Sequence, residues 1–163
     1  MALGEPTTRL RGMQENDLLW VVELGQNTPE FKTGTEAAQF YSVGTLERWI
    51  KDPNGVTLIA EIEGKRTGFL LGYYMEGPND GYINCIVVDE THRREGVGSA
   101  LQEKALTEFE KKGPEGHRCN HVFCVVNESD KLMFNLMKKM DFDFSETNFR
   151  YVETMLPRRG KEN

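Results

Sequence analysis

The sequence predicts an α/β fold of the α+β kind: one mixed, mostly antiparallel central sheet of six to seven strands flanked by about four helices. Three observations predict it. The chain has 163 residues, 38% of them hydrophobic, which suits one domain, because a chain of roughly 150 residues buries about 70% of its extended surface. A strand and helices come first, then an antiparallel meander, then strand–helix–strand–helix–strand–strand, an order that is not doubly wound. No internal repeat or low-complexity linker breaks this order, so residues 1–157 read as a single domain and 158–163 as a flexible tail.

Residues 8–13 read as a short strand with Leu10 inward. Leu18, Leu19, Val21, Val22 and Leu24 mark a helix over 17–24, closed by Gly25. Periodicity is weak over 26–44. A short helix follows over 45–51, with Thr45 as N-cap and Pro53 beyond its end. Residues 56–62 alternate, Glu63-Gly64 makes a hairpin turn, and 67–75 returns. Gly77-Pro78-Asn79-Asp80-Gly81 signals another turn, and 82–88 is a third apolar strand. Val97, Leu101, Ala105 and Phe109 form one stripe of a helix that stops at Gly113-Pro114. Residues 121–126 read as a strand, and Leu132, Met133, Leu136, Met137 and Met140 mark an amphipathic helix. Residues 142–144 and 149–156 read as terminal strands.

Charge and cysteine usage narrow the function. The formal charge of -6 argues against a nucleic-acid partner, which favours a basic face. The one basic cluster, Arg158, Arg159 and Lys161, reads as a solvated end. No apolar run approaches the roughly 20 residues that span a bilayer, and no basic-then-apolar leader opens the chain. Cys85, Cys119 and Cys124 fit reduced thiols of a cytoplasmic protein better than a disulfide framework.

The most informative stretch is Arg93-Arg94-Glu95-Gly96-Val97-Gly98-Ser99, between an apolar strand and a helix. Glycine lets a ligand approach the backbone closely, and the first N–H groups of a helix are free to hold an anion at the positive end of its dipole. A dinucleotide fingerprint needs a third glycine that is absent here, and a P-loop needs a lysine after the glycines. The order is instead Arg93-x-x-Gly96-x-Gly98.

This motif resembles the Gln/Arg-x-x-Gly-x-Gly/Ala acetyl-CoA motif of the GNAT acetyltransferase superfamily. The resemblance extends to Val88-Asp89 before it, the Glu63-Gly64 hairpin with Gly68, the start Arg9-Leu10-Arg11 and Glu15-Asn16-Asp17, and the segment Leu136 to Phe142. It implies a GNAT-like fold and direct transfer of an acetyl group from acetyl-CoA to a primary amine. The main-chain N–H groups of Arg94, Glu95, Gly96, Val97, Gly98 and Ser99 would hold the CoA pyrophosphate, with charge from Arg93 or Arg94. Ile86, Val87 and Val88 would present strand-edge groups to the acetyl carbonyl and pantetheine arm. A homodimer is a further expectation by analogy.

Three positions depart from the family pattern. Met137 stands where a tyrosine usually reprotonates the CoA thiolate, Asp130 where an asparagine often contacts the CoA arm, and Asp141 where a glycine precedes Phe142. Ser129, Tyr82 or bound water would then supply the proton. Tyr82 is the best side-chain candidate for handling the acceptor's proton, directly or through water, with Asn84 on its face; the alternative is an aromatic that packs at a strand start. His117, Cys119, His121 and Cys124 are weighed as metal ligands and set aside, because Cys124 points away from the others in an extended chain. Cys85 lacks a base to act as nucleophile. Residues 26–44 and the turn at 77–81 would shape the acceptor pocket, where Glu30, Glu36, Glu47, Glu76 and Asp80 either favour a cation or are ordinary surface charge. A non-catalytic acyl-CoA-binding or sensor module of the same fold is the alternative, and a nucleotide ligand the third reading.

Overall fold

The computed structural model describes residues 7–31, 40–148, 150 and 152. Within them, five strands form one sheet in chain order: β1 (Arg9–Gly12), β2 (Gly55–Ile62), β3 (Lys65–Met75), β4 (Asp80–Val88) and β5 (His121–Phe123). β1 to β4 pair antiparallel, and β5 joins β4 in parallel. Four α-helices accompany the sheet: α1 (Leu18–Gln26), α2 (Val43–Lys51), α3 (Val97–Glu110) and α4 (Lys131–Lys139).

The alternating strands bury both faces of the sheet. On one face Leu58, Ala60, Leu70 and Ile83 pack on the α3 stripe of Val97, Leu101, Ala105 and Phe109. On the other, Ile59, Phe69, Leu71, Cys85 and Val87 pack on Leu18 and Val21 of α1 and Leu46 of α2. The Trp49 indole N–H donates to the Gly72 carbonyl at 2.8 Å and ties α2 to the sheet. The hairpin between β2 and β3 has Glu63 at φ 51° and Gly64 at φ 75°, the left-handed pair that a two-residue turn requires.

Several boundaries differ from expectation. α2 starts two residues before Thr45, and its cap is Ser42, whose hydroxyl accepts from the Thr45 N–H. α1 runs past Gly25 to Gln26. Asp80 and Gly81, expected in a turn, already pair with Met75 and Tyr74. β5 ends at Phe123 rather than 126 because it is bonded to β4 only at Asp80, Gly81 and Tyr82. Residues 142–144 form no strand. Phe142 instead closes α4, its N–H donating to the Met137 carbonyl at 3.0 Å. The described residues thus carry five strands, not six to seven. The expected strand at 149–156 lies outside them except for 150 and 152, as do the 158–163 tail and Glu36.

Candidate active site

A β-bulge and a splayed strand pair open the site. Leu71 pairs with Cys85 and Gly72 with Ile83, so Asn84 is the extra residue on β4. The bulge shifts the alternation: Ile83 packs towards α3, whereas Cys85 and Val87 pack towards α1 and α2. Beyond Tyr82, the edge of β4 that faces β5 has no strand partner among the described residues. A cleft fills the gap. Asn84, Cys85, Ile86, Val87 and Val88 line one side, and 124–127 with α4 line the other.

The chain then turns towards α3. The Asp89 carboxylate accepts from the Thr91 N–H at 2.9 Å and from the Thr91 hydroxyl at 2.8 Å, and these bonds hold it below the usual carboxylate range. The Arg93 Nε–H donates to the Val88 carbonyl at 3.3 Å. Arg94 at φ 66° and Gly96 at φ 78° take left-handed conformations. Gly96 is the N-cap of α3 and offers no side-chain oxygen to the helix. The first main-chain bond of this entry runs from the Ala100 N–H to the Gly96 carbonyl at 3.0 Å. Among the described residues, the N–H groups from Arg94 to Ser99 therefore have no main-chain acceptor. This is the N-terminal end of a fourteen-residue helix, where free N–H groups and the helix dipole favour negative charge.

Of the residues expected to hold the cofactor, Ile86, Val87, Val88, Arg93, Arg94, Gly96, Val97, Gly98, Ser99 and Asp130 line the cleft, but Glu95 does not and is exposed. One Asp130 oxygen is already used, accepting the Met133 N–H at 3.0 Å as the cap of α4. Ser129 is exposed, and its hydroxyl donates to the Asn127 side chain at 2.8 Å. Tyr82 packs against Phe123 of β5, their ring centroids 5.1 Å apart and their planes tilted by 42°, and Phe123 lines the cleft. Asn84 lines it directly and lies within hydrogen-bonding reach of the Tyr41 hydroxyl. Burial raises the Tyr41 pKa, with Asn84 pulling the other way.

The three departures each have a structural setting. Met137 is buried, and its sulfur lies 3.7 Å from both Gln102 Nε2 and Cys124 Sγ. The Gln102 carbonyl oxygen is buried without a partner among the described residues. Asp141 sits at φ 58°, the conformation for which glycine is suited, and completes the closing turn of α4.

The cysteines and histidines do not converge. Cys119 donates to the His121 carbonyl, and the His121 ring pairs with Asp80 at 2.9 Å. Burial pushes the Cys85 thiol up to about 12 and the Cys124 thiol up to about 11, so both stay protonated at neutral pH. Sequence reasoning left Phe31, Phe40 and Tyr41 unassigned; their density in an otherwise aperiodic stretch is the signal that marks this wall of the cleft.

The sheet, the bulge and the helix entry define an acetyltransferase fold of the GNAT class. The model of the acetyltransferase (GNAT) family matches residues 21–142, and the chain belongs to that family. It is 29% identical over 101 residues to the L-2,4-diaminobutyric acid acetyltransferase of Nocardia farcinica (strain IFM 10152), covering 61% of this chain and 49% of that protein. The chain thus spans about half the length of this relative. Among solved structures, an aminoglycoside acetyltransferase from an uncultured soil metagenomic sample, with sisomicin bound, superposes with a TM-score of 0.69 at 19% identity, over 91% of this chain and 97% of that one. The ribosomal-protein-S18-alanine N-acetyltransferase of Escherichia coli gives 0.66 at 19%, over 85% and 79%. An aminoglycoside N-acetyltransferase in complex with CoA gives 0.72 at 13%, over 95% and 100%. At these identities the likeness concerns the fold. Among the described residues, no helix is long and apolar enough to cross a membrane.

Proposed function

We propose that this chain transfers an acetyl group from acetyl-CoA directly to a primary amine. The observation that carries the reading is the α3 entry, where the N–H groups from Arg94 to Ser99 lack main-chain acceptors beside the open edge of β4. Those groups would hold the CoA pyrophosphate at the positive end of the α3 dipole, with Arg94 and the Ser99 hydroxyl beside them. The β4 edge at Ile86, Val87 and Val88 would bond the pantetheine arm and steady the oxyanion formed when the amine adds to the thioester carbonyl. The C–S bond then breaks, the amine's proton passes to solvent through water positioned by Asn84 or through the Tyr82 hydroxyl acting as a relay, and the thiolate gains a proton. Met137 has no proton to give, so Ser129 or water serves there.

A second reading is favoured by the Met137 thioether: the fold holds acyl-CoA as a sensor without turnover. Calorimetric titration with acetyl-CoA and with ATP, followed by thiol release across a panel of amines, separates the readings. Acetyl-CoA binding together with thiol release on an amine is expected. Binding without release on any amine would favour the sensor, and ATP binding with no acetyl-CoA response would end both.

A further inference from the structure

We infer that the acceptor end of the cleft selects a primary amine carried on an aromatic or flat apolar body rather than a polycation. This rests on the reading of the chain as an amine acetyltransferase. Asn84, at the bulge, is a polar group set between two aromatic walls. On one side are Phe31, Phe40 and Tyr41, with the Phe31 and Phe40 rings tilted and their centroids 5.3 Å apart, and the Phe40 and Tyr41 rings T-shaped with centroids 5.5 Å apart. On the other is Phe123, packed against Tyr82. Phe31, Phe40, Tyr41, Asn84 and Phe123 all line the cleft.

The position of the Phe40 ring is set by α1. A Cβ at Gly25 would lie 2.4 Å from that ring, so the ring occupies the space a side chain would take. Phe40 also meets Phe69 of the sheet at 6.0 Å between centroids, which fixes it from below. The wall is therefore preorganised against the core rather than a loose surface aromatic.

Charge distinguishes the two ends of the cleft. Among the described residues, the lining carboxylates are Glu110, Glu128, Asp130, Asp141 and Asp143, which belong to α3 and to the segments flanking α4. Among the described side chains, the α1–α2 end contributes Gln26, Thr28, Ser42 and Thr45 beside its aromatics, and no carboxylate is among them. Asp80, on β4, is already paired with His121. A polyamine or aminoglycoside carries several ammonium groups that need carboxylate partners when desolvated. An aromatic body needs only apolar area and ring contacts, which this end supplies. The single amine would meet Asn84 and the Tyr41 hydroxyl at the mouth of the β4–β5 gap.

The test measures binding and turnover separately. Dissociation constants for 2-phenylethylamine, spermidine and 2,4-diaminobutyrate are measured by calorimetry on the full chain with CoA present, and thiol release from acetyl-CoA is then followed with each. Phenylethylamine should bind at least about tenfold tighter than either polar amine. Phe40→Ala should weaken it by about tenfold while the acetyl-CoA dissociation constant stays put. Gly25→Ala, which pushes the ring aside, should act in the same direction. Equal or tighter binding of spermidine or 2,4-diaminobutyrate to the unaltered chain overturns the inference whatever the variants do. So does unchanged phenylethylamine affinity in a Phe40→Ala chain that still binds acetyl-CoA. Tight phenylethylamine binding without thiol release would uphold the aromatic subsite and remove the transferase reading, whereas release with spermidine alone would do the reverse.

Discussion

Asp17 is wholly buried yet carries a charge. Its oxygens accept from Arg11 at 2.7 and 2.9 Å, from Arg66 at 2.6 Å and from the Gln14 N–H at 2.8 Å. Burial alone would raise its pKa, but the Arg11 and Arg66 bonds win and hold it down to about 2. The group fastens β1, the entry to α1 and β3 together. A carboxylate lowered from 3.8 to about 2 adds stability above its unfolded value. That contribution, about 2 kcal/mol, is lost as pH falls through the folded value. Asp17→Asn should therefore cost roughly 2–4 kcal/mol in urea unfolding at pH 7. The deficit relative to the unaltered chain should shrink as the pH is lowered from about 4 towards about 2. Asp141 offers the opposite case. At φ 58° it pays the left-handed cost that glycine avoids, so Asp141→Gly should raise stability in urea unfolding by about 1 kcal/mol. The sequence marked the Asp141 position through its place before Phe142, but the Asp17 network joins residues distant in the chain and leaves no local pattern to read.

At the scale of elements, the strongly periodic pieces were legible and the cooperative ones were not. The α3 stripe is buried as its spacing predicts, and the meander pairs as its turns predict. β5 was overextended because apolar content marks 121–126, whereas its length is decided by where β4 veers away. The bulge at Asn84 was invisible for a similar reason: it is a property of the β3–β4 register, not of β4 alone. Thr45 and Ser42 both qualify as caps by residue type, and only the backbone shows that Ser42 is extended at ψ 159° while Thr45 lies inside the helix. Ser42→Ala should thus cost about 1 kcal/mol in thermal or urea unfolding. At the α3 entry, Gly96 faces open space but sits at φ 78°, so even alanine there is strained by about 1–2 kcal/mol. Gly98 has ordinary backbone, and a Cβ there would lie 3.2 Å from Leu136 of α4. Gly98→Val should therefore crowd the cleft wall and weaken acetyl-CoA binding by more than about tenfold, read against a melting curve that separates misfolding from lost affinity.

Across the whole molecule, the sheet is a platform whose two faces do different work. The α3 face carries the helix whose entry lacks acceptors, and the α1–α2 face carries Asn84, Tyr41 and the aromatic wall. The gap between β4 and β5 lies between them, and in the proposed reaction a thioester held on one side would meet there an amine arriving from the other. Residue types and spacing revealed the first half through the glycine motif. The second half depends on side chains from α1, α2, β4 and β5 meeting in space, so only the three-dimensional arrangement exposes it. The division of labour predicts that Phe40→Ala and Gly98→Val affect different ligands, with little coupling between them.

An amide-detected NMR titration with CoA addresses the α3 entry directly. The N–H signals of Arg94 to Ser99 should move most, and Gly96 and Gly98 should shift downfield as oxygens of the diphosphate accept hydrogen bonds from them. Saturable shifts confined to other segments, with these six amides unmoved, would contradict it.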